Sequence, residues 1–150
     1  MLSITRKNLF KELITLSEEN FNKDKIPISA IIFDYQTKKI ISKAVNNDSP
    51  IGHAELIAIE QALKLKNTNR LNDCDIYVSI EPCAMCATAI AKCHIRRLYF
   101  GAEDEKSGGV INGAKVYQTS QLKKPEIISH CFERETASIL KKFFEDKRKQ

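Results

Sequence analysis

The order of apolar patterns along the chain predicts an α/β fold in which helices are layered on a β-sheet. A helix and a two-stranded hairpin come first, and helical and strand-like segments then alternate to the end. No internal repeat, low-complexity tract or linker interrupts this order, and a chain of 150 residues has the size of one ordinary domain. We therefore expect a single domain over residues 1–150.

The first half of the chain predicts a helix, a hairpin and a second helix. Residues 5–21 carry an apolar face at helical spacing, formed by Leu9, Phe10, Leu13, Ile14, Ser17 and Phe21. Residues 28–33 are typical of a buried strand, and residues 39–45 are typical of a more exposed, lysine-bearing partner strand. The turn-forming residues 46–52 then lead into a mostly apolar helix that begins at His53, which we expect to pack on the sheet.

The second half of the chain predicts two further strands with a helix between them. Residues 75–80 and 95–100 are rich in β-forming side chains. Pro82 can begin the intervening helix, because its missing N–H costs nothing in a first turn, and we expect this helix to extend through Cys93. The remaining segments are predicted as a loop at 101–113, a weak strand at 126–128 and a helix at 133–149 with a stripe of Ala137, Leu140, Lys141 and Phe144.

The composition is typical of a water-soluble protein in a reducing compartment. Hydrophobic residues make up 43% of the chain and charged residues 29%, and no apolar run approaches the ~20 residues that span a bilayer. The N-terminus lacks a signal peptide's apolar core. Five unevenly spaced cysteines, an odd number, favour free or metal-bound thiols over disulfides. We expect a cytoplasmic protein without a membrane segment, in which Cys74, Cys93 and Cys131 are buried or incidental.

The basic character of the chain allows two interpretations. A formal net charge of +5 suits a polyanionic partner such as RNA. Alternatively, the lysines of residues 141–150 form a solvated helix end, where the helix dipole favours cations. Charge alone does not choose between a nucleic-acid surface and a solvated helix.

Two short motifs supply the residue types of a catalytic metal site. The first reads EPCAMC and contains Cys83 and Cys86; the second reads HAE and contains His53 and Glu55. The two cysteines are three positions apart, so on a helix they share one face, and a helix N-terminus favours the thiolates that metals bind. His53 can complete a three-ligand zinc site from the start of its own helix. Glu55 is then free to move protons at a fourth, water-bearing position.

Two other interpretations of these motifs stay open at this point. A Cys-x-x-Cys pair also occurs in redox proteins, but a redox pair leaves His53 and Glu55 without a role. A structural zinc site needs four protein ligands, and the chain shows no second paired spacing. Single residues able to complete such a site are Cys74, Cys93, His94, His130 and Cys131. Otherwise, we expect the last two histidines at the surface or beside the metal ligands.

Beyond these motifs, the chain from residue 26 to about residue 144 resembles the bacterial tRNA-specific adenosine deaminases of the cytidine-deaminase-like superfamily. The matching segments are residues 26–28 (IPI), Asn46, residues 53–55 (HAE), residues 80–86 (IEPCAMC), residues 95–102 (IRRLYFGA), residues 104–108 (DEKSG) and the pair Phe143-Phe144 before a basic tail. The metal motif is that of zinc-dependent hydrolytic deaminases. The flanking segments point to the tRNA branch.

The resemblance implies a three-layer α/β/α sandwich around a mixed five-stranded sheet, one zinc ion per chain and usually a homodimer. It implies that the zinc ligands are His53, Cys83 and Cys86 and that Glu55 is the catalytic proton carrier. The implied substrate-binding residues are Asn46, Ile28 and Ala54. The implied reaction is the hydrolytic deamination of adenosine to inosine at the wobble position of a tRNA anticodon. RNA contacts would come from Phe144, Lys147 and Arg148 in the basic C-terminal helix.

The chain departs from the family pattern near the base pocket rather than at the metal ligands. Ser29 stands where glycine is usual, and residues 50–52 (PIG) precede the histidine where Pro-Thr-Ala is common. These differences bear on the substrate and leave the chemistry in place. A deaminase of free cytosine, guanine or cytidine is therefore the alternative enzyme. A non-catalytic, zinc-stabilised RNA-binding protein is the alternative from another class, although it gives no role to the unliganded Glu55.

Overall fold

The computed structural model describes residues 2–149. Along these residues the elements are α1 (Ile4–Asn22), β1 (Ser29–Asp34), β2 (Lys39–Val45), α2 (Ala54–Lys66), β3 (Cys74–Ile80), α3 (Ala84–Lys92), β4 (Arg97–Ala102), α4 (Val116–Thr119), β5 (Glu126–Ile128) and α5 (Glu133–Arg148). Among them, no helix combines the length and the apolar character that crossing a membrane requires.

The five strands form one mixed sheet in the order β2-β1-β3-β4-β5. Strand β1 is antiparallel to both β2 and β3, whereas β3, β4 and β5 are parallel. All seven residues of the central strand β3 are buried. Strand β2 lies at one edge and exposes Lys39 and Lys43, charges that disfavour pairing with another chain. The predicted mixed five-stranded sheet is confirmed.

The alternation of side chains along the strands directs them into two separate cores. On one face, the sheet packs against α2 and α3, which contribute the small side chains Ala54, Ala58, Ala62, Ala87 and Ala91. On the other face it packs against α1, and the contacts are aromatic: Tyr77 stacks on Tyr99 at 4.4 Å and meets Phe10 edge-on at 5.7 Å. Burying one such ring contributes about 1.5–3 kcal/mol. Helix α5 lies beside α1, which completes the predicted three-layer sandwich.

The expected loop at residues 101–113 needs one correction, and a short helix follows it that was not predicted. Strand β4 runs through Ala102, so the loop begins after the predicted Gly101. Gly101 is needed for close packing rather than for a turn, because a Cβ there would lie 2.3 Å from the carbonyl oxygen of Ser79. The short helix α4 was not predicted. It is held by Tyr117, whose hydroxyl donates to the carbonyl of Ala87 at 2.6 Å.

The buried face of α5 also differs from the predicted stripe. Thr136 and Phe143 are the buried residues, whereas Phe144 is 44% exposed. Phe143 meets Phe21 of α1 edge-on, with ring centroids 5.8 Å apart. The Thr136 hydroxyl oxygen accepts the backbone N–H of Ala102 at 3.0 Å. These partners in α1 and β4 therefore set the rotation of the helix.

Candidate metal centre and active site

His53 is the N-terminal cap residue of α2, so its side chain can face the neighbouring helix. Its backbone is extended (φ −80°, ψ 143°), and its imidazole makes no capping hydrogen bond. Asn46 caps the helix instead, since its Oδ1 accepts the backbone N–H of Ala54 at 2.8 Å. Because His53 precedes the helix, the two-residue spacing to Glu55 does not force the two side chains apart.

Cys83 and Cys86 lie at the N-terminal end of α3. Cys83 is the cap residue, with an extended backbone (φ −71°, ψ 172°), and α3 begins at Ala84 rather than at the predicted Pro82. The reason is that the Pro82 carbonyl accepts the N–H of Gly109, at 2.9 Å, instead of an N–H of the next turn. The Nδ1 atom of His53 lies 3.5 Å from the Cys83 Sγ and 3.3 Å from the Cys86 Sγ.

These three side chains form a donor set that fits a zinc ion. Their ligand atoms all lie within 4.8 Å of one another. Nitrogen and sulfur are the donors that zinc prefers, and three protein ligands leave a fourth position for water, as in catalytic sites. The residues that could have completed a structural site lie elsewhere: Cys74 and Cys131 are buried outside the cluster, and the His130 imidazole contacts Glu103 at 3.0 Å.

The two thiols of the cluster differ in protonation. A hydrogen bond from the Cys86 thiol, with help from His53, lowers the pKa of Cys83 to about 5 against the opposing effect of burial. The same hydrogen bond and burial raise the pKa of Cys86 far above its ordinary value. Cys83 is therefore the thiol that ionises more readily. Metal binding would also require Cys86 to lose its proton, because metals bind thiolates.

Glu55 lies in the first turn of α2 and is only 3% exposed. Burial raises the pKa of its carboxyl to about 7; the nearby Cys83 adds to this rise, and a backbone hydrogen bond and His53 oppose it. The carboxylate does not belong to the cluster of candidate ligands. A buried carboxyl that titrates near neutral pH can both accept and release a proton during a reaction.

Glu81 is a residue to which the motif alone assigns no role. It directly follows β3, precedes Pro82 and is 2% exposed. Its carboxylate binds the segment 104–112, which we call the rim loop. Burial favours the neutral carboxyl, but hydrogen bonds from Asn112, Asp104 and Ile111 outweigh it and hold the pKa of Glu81 below its ordinary value. The sequence signal that could have identified Glu81 was a carboxylate directly after a fully buried strand.

The predicted substrate residues Asn46, Ile28 and Ala54 lie together at the start of α2. The backbone N–H of Asn46 donates to the Ile28 carbonyl at 3.1 Å, and its side chain binds the N–H of Ala54. Asn46 is itself held by Asn20 of α1, whose side-chain amide donates to the Asn46 carbonyl at 3.0 Å. Ile28 is half-buried and immediately precedes β1.

The structure shows the surroundings of two departures from the family pattern, Ser29 and Gly52. The Ser29 hydroxyl donates to the Leu13 carbonyl at 2.7 Å and therefore points to the α1 face, away from α2. A Cβ at Gly52 would lie 1.6 Å from the Asn47 Oδ1, so a larger residue there would displace the Asn47 side chain. Ser29 thus does not alter the face that carries His53 and Glu55.

The three residues predicted to bind RNA lie on α5. Phe144 and Arg148 are exposed, whereas the ammonium of Lys147 lies 2.7 Å from the Asp24 carboxylate. Within the described residues, no hydrogen bond or ion pair joins them to the candidate metal ligands. Phe144 and Arg148 are therefore exposed, and Lys147 is paired with Asp24.

Comparisons with known proteins agree with this fold. A family model described as MafB19-like deaminase matches residues 4–148, so the class that the fold and the site define is a deaminase. A tRNA-specific adenosine deaminase of Rickettsia bellii is 40% identical over 139 residues, which cover 89% of this chain and 96% of that relative. The chain belongs to the family of tRNA-specific adenosine deaminases, and the predicted resemblance is confirmed.

Solved structures give the same result for the fold. A structure from studies of A-to-I editing by tRNA:A34 deaminases at the wobble position of transfer RNA has a TM-score of 0.82 at 33% identity. The match covers 89% of this chain and 99% of that one. A guanine deaminase from Bacillus subtilis is 35% identical over a smaller part, 63% of this chain and 62% of that chain, with a TM-score of 0.58.

Proposed function

We propose that residues 1–150 form one zinc-dependent deaminase domain, which converts adenosine to inosine at the wobble position of a tRNA anticodon. One observation carries the chemistry: a buried Glu55 lies beside, but outside, a cluster of one imidazole and two thiols. The kinship with tRNA-specific adenosine deaminases supports the substrate.

His53, Cys83 and Cys86 would hold the zinc ion. When bound, zinc supplies the acidity that makes water a nucleophile at neutral pH. The Asn46 cap fixes the backbone from which the imidazole projects, and the contact of Pro82 with Gly109 fixes the backbone at Cys83. The ligands are thus oriented by the protein before a metal binds.

Glu55 carries the protons of the reaction. As a carboxylate, it takes a proton from the attacking water and passes it to N1 of the adenine, while the oxygen adds to C6. It then takes the remaining hydroxyl proton and passes it to the 6-amino group, which leaves as ammonia. The proton on N1 stays in the inosine product. A pKa of about 7 suits a group that must accept and donate in turn.

Asn46, Ile28 and Ala54 would form the wall of the base pocket. Because the Asn46 Oδ1 is engaged by the Ala54 N–H, the NH₂ group of Asn46 is the part left to donate to the nucleoside. Ile28 offers an apolar side chain for contact with the flat face of the base. The target base would enter this pocket after leaving the stack of the anticodon loop.

The central test combines a substrate panel with the Glu55→Gln variant. The zinc-loaded protein should form inosine in an anticodon stem-loop with a wobble adenosine, and should release no ammonia from free guanine, cytosine, cytidine or adenosine. Glu55→Gln should keep one zinc per chain and lose at least about a thousandfold in kcat. Glu60→Gln, at an exposed position of the same helix, is the matched control and should keep full activity. Activity retained by Glu55→Gln would exclude the assigned role.

A deaminase of free guanine is the second candidate function. It is favoured by the partial match to the guanine deaminase from Bacillus subtilis. Release of ammonia from guanine, with no inosine formed in the stem-loop, would select this function and reject the first.

We also propose that Phe144 and Arg148 contact the RNA, with a lesser part for Lys147 because Asp24 already neutralises it. Phe144 can stack on an unpaired base, and Arg148 can bind a phosphate. Arg148→Ala should weaken stem-loop binding a few-fold and reduce the slope of log affinity against log salt by about 1. Lys64→Ala, on the opposite layer, is the control; equal affinities for the two variants would contradict the proposal.

We further propose a homodimer that acts in the cytoplasm, where tRNA is available. Sedimentation equilibrium of the zinc-loaded protein at micromolar concentration measures the oligomeric state. A monomer that turns over the stem-loop at full rate would contradict the dimer.

A further inference from the structure

The Glu81 carboxylate is saturated by donors from the rim loop. Its Oε1 accepts the N–H of Asp104 at 2.9 Å and the side-chain amide of Asn112 at 2.7 Å. Its Oε2 accepts three backbone N–H groups, those of Val110, Ile111 and Asn112, at 3.0, 2.8 and 3.0 Å. A carboxylate offers about four lone-pair sites, so these five donors leave none for another partner.

The rim loop lies directly on the turn that carries the metal ligands. The N–H of Gly109 donates to the Pro82 carbonyl at 2.9 Å. A Cβ at Gly109 would lie 2.3 Å from the backbone nitrogen of Ala84, and a Cβ at Gly108 would lie 2.4 Å from the Glu81 carboxyl carbon. Two adjacent glycines therefore allow the loop to approach both Glu81 and the start of α3.

The outer part of the rim loop is exposed and shaped by Asp104. The Asp104 Oδ1 accepts the backbone N–H groups of Lys106 and Ser107 at 3.2 and 3.0 Å. Residues 105–107 are exposed, and Lys106 provides a cation a few residues from the contact with α3. A cation held at this rim suits a phosphate of an RNA substrate. The inner end of the same loop is fixed by Glu81.

We propose that Glu81 is a positioning residue, whose carboxylate holds the rim loop on the N-terminal end of α3 and thereby sets the edge of the substrate site. It acts through the loop and touches neither the candidate metal ligands' donor atoms nor the reacting base. The part that concerns the substrate rests on the proposed function; the attachment of the loop does not.

The Glu81→Gln variant tests the proposal with little change of shape. Its amide oxygen can keep the three backbone donors at residues 110–112, but its NH₂ group then faces the N–H of Asp104, which loses its acceptor. Amide hydrogen exchange at residues 104–107 should become at least about tenfold faster. Zinc content should remain one per chain, KM for the stem-loop should rise at least about tenfold, and kcat should change less than about threefold.

Two further variants separate this role from a general loss of stability. Leu13→Ala removes a buried side chain on the opposite face of the sheet and should lower the melting temperature without changing KM or exchange in the rim loop. Gly108→Ala keeps the carboxylate but places a methyl group against it, and should reproduce the faster exchange and the higher KM. It also provides the test if Glu81→Gln does not fold.

The outcomes that overturn the proposal are distinct from those that overturn the proposed function. The proposal is rejected if amide exchange at residues 104–107 is unchanged in both Glu81→Gln and Gly108→Ala. It is also rejected if KM stays unchanged despite faster exchange, or if KM rises equally in Leu13→Ala. If the wild-type protein forms no inosine in the stem-loop, the proposed substrate is wrong. The exchange measurement still decides whether Glu81 holds the loop, and KM is then measured with the base that the wild-type protein does deaminate.

Discussion

A cluster of three candidate metal ligands lies near each end of helix α2, and the two clusters differ in the cation that neutralises them. The N-terminal cluster is His53, Cys83 and Cys86, and the C-terminal cluster is Asp34, Asp73 and Cys74. Near the N-terminus of α2, His53 faces two cysteine sulfurs. Near its C-terminus, the Lys66 ammonium lies 2.9 Å from the Asp34 carboxylate and 2.8 Å from that of Asp73. The C-terminal cluster therefore has a cation of its own, supplied by the chain. Proximity of ligand atoms alone does not define a metal site.

Cys74 and Cys83, one thiol from each cluster, have pKa values shifted in opposite directions. Burial and the nearby Asp73 raise the pKa of Cys74 to about 12, so this sulfur stays protonated. The pKa of Cys83 is lowered to about 5, chiefly by the hydrogen bond from Cys86. Metals bind the thiolate, so Cys83 is the better candidate ligand of these two residues, and Cys74 is an inert core residue.

The largest expected effect is the loss of metal from the N-terminal cluster. Cys83→Ser removes one of three ligands and should lower zinc affinity by more than the roughly 10–100-fold that loss of an outer partner costs. Zinc per chain after dialysis should fall from one to near zero, and activity should fall with it. Cys93→Ser, which changes a half-buried thiol outside the cluster, should keep its zinc. Stoichiometric zinc in Cys83→Ser would contradict the assignment.

An intermediate effect is expected at the C-terminal cluster. Lys66→Met leaves the carboxylates of Asp34 and Asp73 without their cation and should lower the free energy of unfolding by about 2 kcal/mol, less than for a fully buried pair because Asp73 is partly exposed. Urea denaturation measures this change. Lys64→Met, at an exposed position of the same turn, should cost little. Zinc content should be unchanged in both variants, and a loss of zinc in Lys66→Met would show that the two ends are not independent.

The smallest effect is a pH dependence confined to the C-terminal cluster. Burial favours the neutral form of Asp34, but hydrogen bonds from Lys66 and from the backbone of Thr37 and Gln36 hold its pKa below the ordinary value of 3.8. Because the folded pKa is the lower one, this stabilisation is present above about pH 4 and is lost as the pH falls through the folded value.

The measurement compares the free energy of unfolding of the wild type and of Asp34→Asn across the pH range. The difference should be constant from about pH 5 to 8 and should shrink below about pH 4. A difference that stays constant down to about pH 2 would show that the Asp34 charge does not carry it.

The grouping of His53, Cys83 and Cys86 was predictable because most of its information is local in the sequence. Cys83 and Cys86 are held at a fixed spacing by one turn of backbone, and His53 and Glu55 share the start of one helix. The strands were likewise predictable from continuous β-rich runs. The sheet brings the two motifs together in space. That proximity could not be predicted from local patterns and came from the resemblance to a known family.

The parts that were missed depend on partners that are distant in the sequence. Phe143 and Phe144 both fit a helical stripe, and only the contact of Phe143 with Phe21 decides which is buried. Glu81 has no local partner, since its donors come from residues 104–112. Helix α4 has four residues, too few for a periodic pattern, and its anchor is the Tyr117 hydroxyl on α3.

His53 precedes β3 in the chain and Cys83 follows it, and this order affects the abundance of the protein in the cell. A metal held by both residues closes a stretch of chain that contains α2 and the central strand, so this stretch cannot unfold without releasing the metal. At free zinc about a hundredfold above the dissociation constant, the folded state gains about 2.7 kcal/mol. In a zinc-starved cell, proteases should therefore remove the unfolded chain faster, and the abundance of the protein should fall together with its activity.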